Sequence, residues 1–209
     1  MGNQSFEIRV CKSCGLRYPL LKGHSFGVRC PNCLGETQAV LKKSISKESL
    51  SIYKERKSDL RLSVLIDNVR SAWNVGSILR TADGFGFSHA YLCGITPTPD
   101  QDAVQKTALG ADEYVTWSHH QDAVKLSKGL KKEGWKIIAI EESERAVEIP
   151  HASKPARDTL LIMGSEVTGV DPELLDLADK VYYIPMYGGK KSFNVAIAFG
   201  VAAWVSVHY

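Results

Sequence analysis

Two CxxC pairs, Cys11-Lys-Ser-Cys14 and Cys30-Pro-Asn-Cys33, are separated by fifteen residues. This spacing is that of a tetrahedral four-cysteine zinc site, and a redox CxxC or four unrelated thiols are the competing readings. Four thiolates close the coordination shell and leave no position for water, so such a site is structural. Gly15 and Gly35 follow the pairs closely and suit two tight turns; His24, between them, is read as a solvated loop histidine. Three further stretches carry polar groups at suggestive spacings. In Asp67–Thr81, Asn74 and Arg80 lie six residues apart; alone they read as a helix cap and a surface charge. In Met163-Gly164-Ser-Glu166-Val-Thr-Gly169, glycine lets a flat ligand lie against the backbone, while Glu166 could tie the loop to a neighbour. The last stretch, Val181–Tyr209, holds Gly188 and Gly189 in a loop, Ser192 at a helix N-cap position and Asn194 in the first turn.

The elements that must position these groups alternate as in an α/β domain. Strands are expected over Leu62–Ile66, Ala90–Cys93, Tyr114–Trp117, Trp135–Ile140, Thr159–Met163 and Val181–Ile184. Helices are expected over Asn74–Gly84, Gln101–Leu109, Gln121–Glu133, Pro172–Leu177 and Ser192–His208. Runs such as Leu160–Met163 and Lys136–Ile140 indicate a mostly parallel sheet covered on both faces. The last helix is apolar on all sides, which requires burial against the core or another subunit. The division expected is a zinc-ribbon-like module over 1–44, a charged linker over 45–60 with a helix at Glu48–Lys57, and the α/β domain over 61–209.

At 209 residues and 44% hydrophobic content the chain holds one substantial domain plus a small module. A segment of some forty residues buries too little core to fold alone, so metal would supply its folding energy. Its Arg9, Lys12, Arg17, Lys22 and Arg29, with Tyr18 and Phe26, are compatible with RNA contact, although a solvated face is the commoner reason for such charges. A net charge of +3 permits an acidic partner without requiring one. No apolar stretch follows a basic start, so neither a secretory signal nor a membrane span is expected and the location expected is the cytoplasm.

Taken in order, NxGxxxR (Asn74–Arg80), GxExxG (Gly164–Gly169) and IPMxGxxxSxNV (Ile184–Val195) resemble the three signatures of the SpoU/TrmH branch of the SPOUT RNA methyltransferases. The resemblance runs from Leu62 to Tyr209 and includes Lys106–Ala111. Phe193 departs from the usual leucine, and Ala196 from a frequent serine. The resemblance implies an α/β knot fold with a C-terminal trefoil knot. It implies S-adenosylmethionine held mostly by backbone groups at Gly164, Ile184 and Phe193, with Met163 and Met186 nearby. It further implies a homodimer through the final helix and methyl transfer to a ribose 2′-hydroxyl of tRNA or rRNA. Arg80, reaching from the partner subunit, would hold the phosphate and stabilise the nascent alkoxide more readily than act as a base, because a guanidinium hardly gives up its proton. Asn74, Ser192 and Asn194 would orient the reacting groups, Glu166 would brace the loops, and zinc would be remote from the chemistry. A catalytically idle RNA-binding protein and an RNA base methyltransferase are the alternatives.

Overall fold

The computed structural model describes residues 4–24, 28–45, 60–149 and 158–208; the helix expected at Glu48–Lys57 lies outside them. The chain divides into two compact units, Met1–Glu55 and Arg56–Tyr209.

The first unit is a three-stranded antiparallel sheet in the order β2-β1-β3, from β1 (Gln4–Cys11), β2 (Arg17–Leu21) and β3 (Thr37–Ile45). Each strand pair ends at a cysteine turn. Gly15 takes φ +72° and donates its N–H to the Cys11 carbonyl. In the second turn the left-handed residue is Leu34, at φ 59°, and not Gly35. Gly35 is needed instead for room, since a Cβ there would stand 2.7 Å from Ser13 Oγ. Arg9, counted above among surface cations, is buried: its guanidinium bonds Thr37 Oγ1 and the Thr37 carbonyl and pairs with Glu7. Strand alternation turns it inward, and Thr37 and Glu7 satisfy it there.

The second unit is a seven-stranded, wholly parallel sheet in the order β6-β5-β4-β9-β7-β10-β8. Its strands are β4 (Leu62–Asp67), β5 (His89–Cys93), β6 (Thr116–His120), β7 (Lys136–Ile140), β8 (Val147–Glu148), β9 (Thr159–Met163) and β10 (Lys180–Tyr183). The helices are α1 (Ala72–Gly84), α2 (Asp102–Ala108), α3 (Ala123–Lys132), α4 (Pro172–Leu177) and α5 (Val195–His208). Strand alternation splits the core in two. Val64, Ile66, Leu161 and Met163 pack with Ile78, Leu79 and Phe199 of α1 and α5, while Leu65, Leu160 and Ile162 pack with Leu130 and Leu174 of α3 and α4. β4 and β9, buried along their whole length, form the spine. Cys93 is fully buried in β5, and burial pushes its thiol up to about 12.

Several boundaries differ from those expected. Tyr114 lies after a short 3-10 turn (Ala111–Glu113) and is exposed, so the strand there starts at Thr116. α1 is capped by Ser71, whose Oγ accepts the Asn74 N–H, so Asn74 sits in the first turn and is not the cap. α5 begins at Val195, and Asn194 rather than Ser192 caps it, its Oδ1 accepting the Ala196 N–H at 2.9 Å. α5 buries one stripe, Val195, Phe199, Ala202 and Ala203, and leaves Ile197 and Trp204 exposed. Among the described residues no helix is long and apolar enough to cross a membrane.

Candidate functional site

All strands run parallel, so the loops after β4, β9 and β10 emerge at one edge of the sheet, as ligand-binding loops of open α/β sheets do. After β4 the backbone turns through Asn68, a non-glycine residue at φ 54°. Asn68 Oδ1 accepts the Ile95 N–H and its Nδ2 donates to Asp67 Oδ1 at 2.8 Å. Burial raises the Asp67 carboxyl above the ordinary range, partly offset by that bond. Thr96 Oγ1 accepts the Val69 N–H and donates to the Ile66 carbonyl, fixing the approach to α1. Gly76, the glycine of NxGxxxR, lets α1 and α2 touch: a Cβ there would lie 2.5 Å from the Val104 carbonyl and closer still to Thr107 Oγ1. That contact accounts for the Lys106–Ala111 segment, in which α2 ends on Leu109 and Gly110 with positive φ.

After β9 the chain folds back so that Ser165 and Gly169 exchange both backbone bonds, at 3.0 and 2.9 Å. Gly164 is obligatory, because a Cβ would fall less than 3.0 Å from the backbone of Gly169 and Val170. Gly169, at φ +71°, lies equally tight against the carboxylate of Glu141. Glu141 follows β7 directly; its Oε2 accepts the Val170 N–H at 2.8 Å and its Oε1 the Glu142 N–H at 3.0 Å. This brace was missed from the sequence. An acid placed immediately after the apolar Ile137–Ile140 run was the available signal.

One line of side chains joins all three loops. Glu166 Oε2 accepts the Arg70 N–H at 3.0 Å, and its Oε1 accepts the Ser71 N–H at 3.3 Å and Asn74 Nδ2 at 2.9 Å. Asn74 Oδ1 in turn accepts Asn194 Nδ2 at 3.0 Å, and Asn194 Oδ1 the Ala196 N–H. Burial pushes the Glu166 carboxyl up, but the N–H groups of Arg70, Asn74 and Ser71 more than reverse this and hold it below the ordinary range. Glu166 is thus an anionic brace.

Beside this line opens a cleft of about 610 Å³. Met163, Gly164, Glu166, Ile184, Met186, Ser192, Phe193 and Asn194 all line it, together with Ile140, Glu141 and Tyr183. Of the residues singled out above, Asn74 reaches it through Asn194, whereas Arg80 does not line it. Arg80 is exposed on the outer face of α1, in line with Trp73 and Ser77, and forms no ion pair among the described residues. The cleft combines an apolar wall with the sulfurs of Met163 and Met186, tight glycine backbone, and a polar side of Glu141, Glu142, Glu166 and Lys191, and so suits a flat ligand with apolar and charged parts.

In the other unit the sulfurs of Cys11, Cys14, Cys30 and Cys33 all lie within 4.8 Å of one another, with Cys11–Cys33 at 3.5 Å and Cys14–Cys30 at 3.6 Å. A tetrahedral ion with bonds of about 2.3 Å to sulfur needs edges of about 3.8 Å, so the four fit such an ion. The Cys14 N–H bond to its sulfur pulls the Cys11 thiol down to about 6, against its burial. The Gly35 N–H lowers Cys33, but the thiols of Cys11 and Cys14 outweigh it and push Cys33 up to about 12. His24 is exposed and is not one of this cluster.

The chain matches the profile of the SpoU rRNA Methylase family over residues 61–204. It is 30% identical over 165 residues to the tRNA (guanosine(18)-2'-O)-methyltransferase of Aquifex aeolicus, covering 78% of this chain and 74% of that one. It is 32% identical over 137 residues to the enzyme of that name from Escherichia coli, covering 66% of this chain and 58% of the relative. An AdoMet-bound rRNA methyltransferase from Sinorhizobium meliloti superposes with a TM-score of 0.66 at 26% identity, over 70% of this chain and 55% of that one. The chain thus spans little more than half the length of the latter two. With the family match covering well over half of its residues, this chain belongs to the SpoU rRNA methylase family.

Proposed function

We propose that this protein transfers a methyl group from S-adenosylmethionine to a ribose 2′-hydroxyl of tRNA or rRNA. The observation that carries the reading is the hydrogen-bonded line Glu166–Asn74–Asn194, which ties the three signature loops together at the rim of the cleft. The relatives named for 2'-O-methylation of tRNA, and the AdoMet-bound rRNA methyltransferase, support the chemistry and the two RNA classes.

In this reading Gly164, Ile184 and Phe193 present backbone to the cofactor, and Met163 and Met186 wall its apolar part. When bound, S-adenosylmethionine would supply a methyl group already activated on its sulfonium, for transfer to a hydroxyl whose proton would pass to solvent. Ser192 and Asn194 orient the hydroxyl, and Glu166 holds Asn74 and Asn194 in place. Arg80 binds the adjacent phosphate and stabilises charge on the oxygen. Because it stands outside its own cleft, it serves the cleft of a second copy. The open Ile197 and Trp204 face of α5 supports a homodimer through that helix. We assign the thread of Pro185–Asn194 to the trefoil knot of this family, a structural zinc ion to the four cysteines, and the protein to the cytoplasm.

The test is incubation of purified protein with tRNA and with rRNA and methyl-labelled S-adenosylmethionine, beside an Arg80→Ala control. Label in a nuclease-resistant dinucleotide, absent from the control, supports the reading. Label on a base, or cofactor binding with no transfer to either RNA, overturns it.

A further inference from the structure

We infer that the cysteine module carries a binding groove for an unstacked nucleobase of single-stranded RNA. The inference rests on RNA being the substrate and assigns a second point of contact with it. Against the sheet edge at β2 lies a groove of about 600 Å³. Phe6, Pro19, Leu21 and Pro31 make it apolar, and the rings of Tyr18 and His24 add flat surfaces. A unit of this size has little apolar surface to spare, yet Leu21 stays 44% exposed at the groove.

Charge indicates the occupant. Residues 1–45 contain seven Lys and Arg against two Glu, a net +5, which leaves the rest of the chain at −2. Arg9 and Lys42 are committed to Glu7, and Lys12 to Glu36. Arg17, Lys22 and Arg29 are exposed and make no ion pair among the described residues. Arg17 and Lys22 bracket the groove strand, and Tyr18 Oη, donating to the Arg29 carbonyl at 3.0 Å, ties the Arg29 backbone to it. An apolar, ring-lined slot beside exposed cations is the arrangement that holds a base face while its flanking phosphates are neutralised.

A protein strand added to the same edge fits less well. Pro19, in the middle of edge strand β2, offers no N–H to a ladder. A peptide there would also have to be acidic to meet the cations.

The experiment measures fluorescence anisotropy of the full chain with a short labelled single-stranded oligouridylate and with an abasic strand of the same length. The unaltered protein is expected to prefer the base-bearing strand about tenfold, as one stacked base implies. Leu21→Asp should abolish that preference, with bound zinc and circular dichroism showing that the module still folds. Lys22→Glu should weaken both strands alike and flatten the salt dependence. Equal affinity for the two strands, or an undiminished preference in Leu21→Asp, overturns the proposal. Methyl transfer by the unaltered chain tests the preceding reading separately. A groove that fails here leaves that reading standing, and a chain that transfers no methyl group leaves the binding comparison intact.

Discussion

Replacing Glu166 by Gln tests the site most sharply, because the hydrogen-bonded line has a fixed direction. Backbone N–H groups that cannot be reversed anchor both ends, those of Arg70 and Ser71 at Glu166 and that of Ala196 at Asn194. A carboxylate accepts from every side, whereas glutamine must turn its amide NH2 on one of them. If it faces Arg70, two donors meet. If it faces Ser71 and Asn74, then Asn74 must flip and oppose Asn194 Nδ2, and a flip of Asn194 would break its bond to the Ala196 N–H. One unsatisfied donor costs about 1–3 kcal/mol when buried. Glu166 is exposed and water reaches the displaced donor, so the net worth of one bond, about 0.5–1.5 kcal/mol, is the better figure, or roughly a 2- to 13-fold loss in rate. The assay is single-turnover methyl transfer beside calorimetric cofactor binding. The lowered carboxyl pKa sets the pH behaviour: the anionic brace is intact above the ordinary carboxylate range and is lost as pH falls through the lowered folded value. The deficit of Glu166→Gln is therefore full at neutral pH and narrows only in strong acid. A variant with wild-type rate and cofactor affinity at neutral pH would refute the reasoning.

Three other perturbations bear on separate parts of the molecule. Gly164→Ala places a methyl group well under 3.0 Å from the Gly169–Val170 backbone, where ordinary contact begins at 3.4 Å, so the loop must open by about an ångström and S-adenosylmethionine affinity measured by calorimetry should fall at least about tenfold. Cys11→Ser with Cys14→Ser should release zinc, detected with a chromogenic chelator, and weaken RNA binding in a gel-shift assay while cofactor affinity stays unchanged. Trp204→Glu puts a charge on the open face of α5; light scattering should then report a monomer, and an unchanged dimer would place the interface elsewhere.

The parallel sheet was legible because its strands are short apolar runs buried on both faces, as β9 shows by matching its expected span residue for residue. The signature residues were legible as a set, yet their individual roles were not. Asn74 and Ser192 both look like helix caps in local sequence, and each loses that role to a residue two or three positions away, Ser71 and Asn194. Asn74 is thereby released to bridge Glu166 and Asn194, at sequence separations of 92 and 120 that no local pattern encodes. Gly76 falls inside an expected helix, but the crossing it serves is set by Val104 and Thr107, which local sequence does not reveal. Arg9 reads as a surface cation because its partner Thr37 lies 28 residues away. β8, with only two residues, carries no periodicity to read.

Those long separations also order the events of synthesis. Glu166 and Asn74 can meet once β9 and its loop exist, but Asn194 closes the line only after the loop beyond β10 has come back over the sheet. Non-local closures of this kind are slow relative to local helix formation. Ser192, Phe193 and Asn194, which complete one wall of the cleft, are supplied by the same late segment. A nascent chain made only as far as β10 therefore has a sheet and two braced loops but nowhere to keep a cofactor, and the protein becomes able to bind one only as its last helix docks.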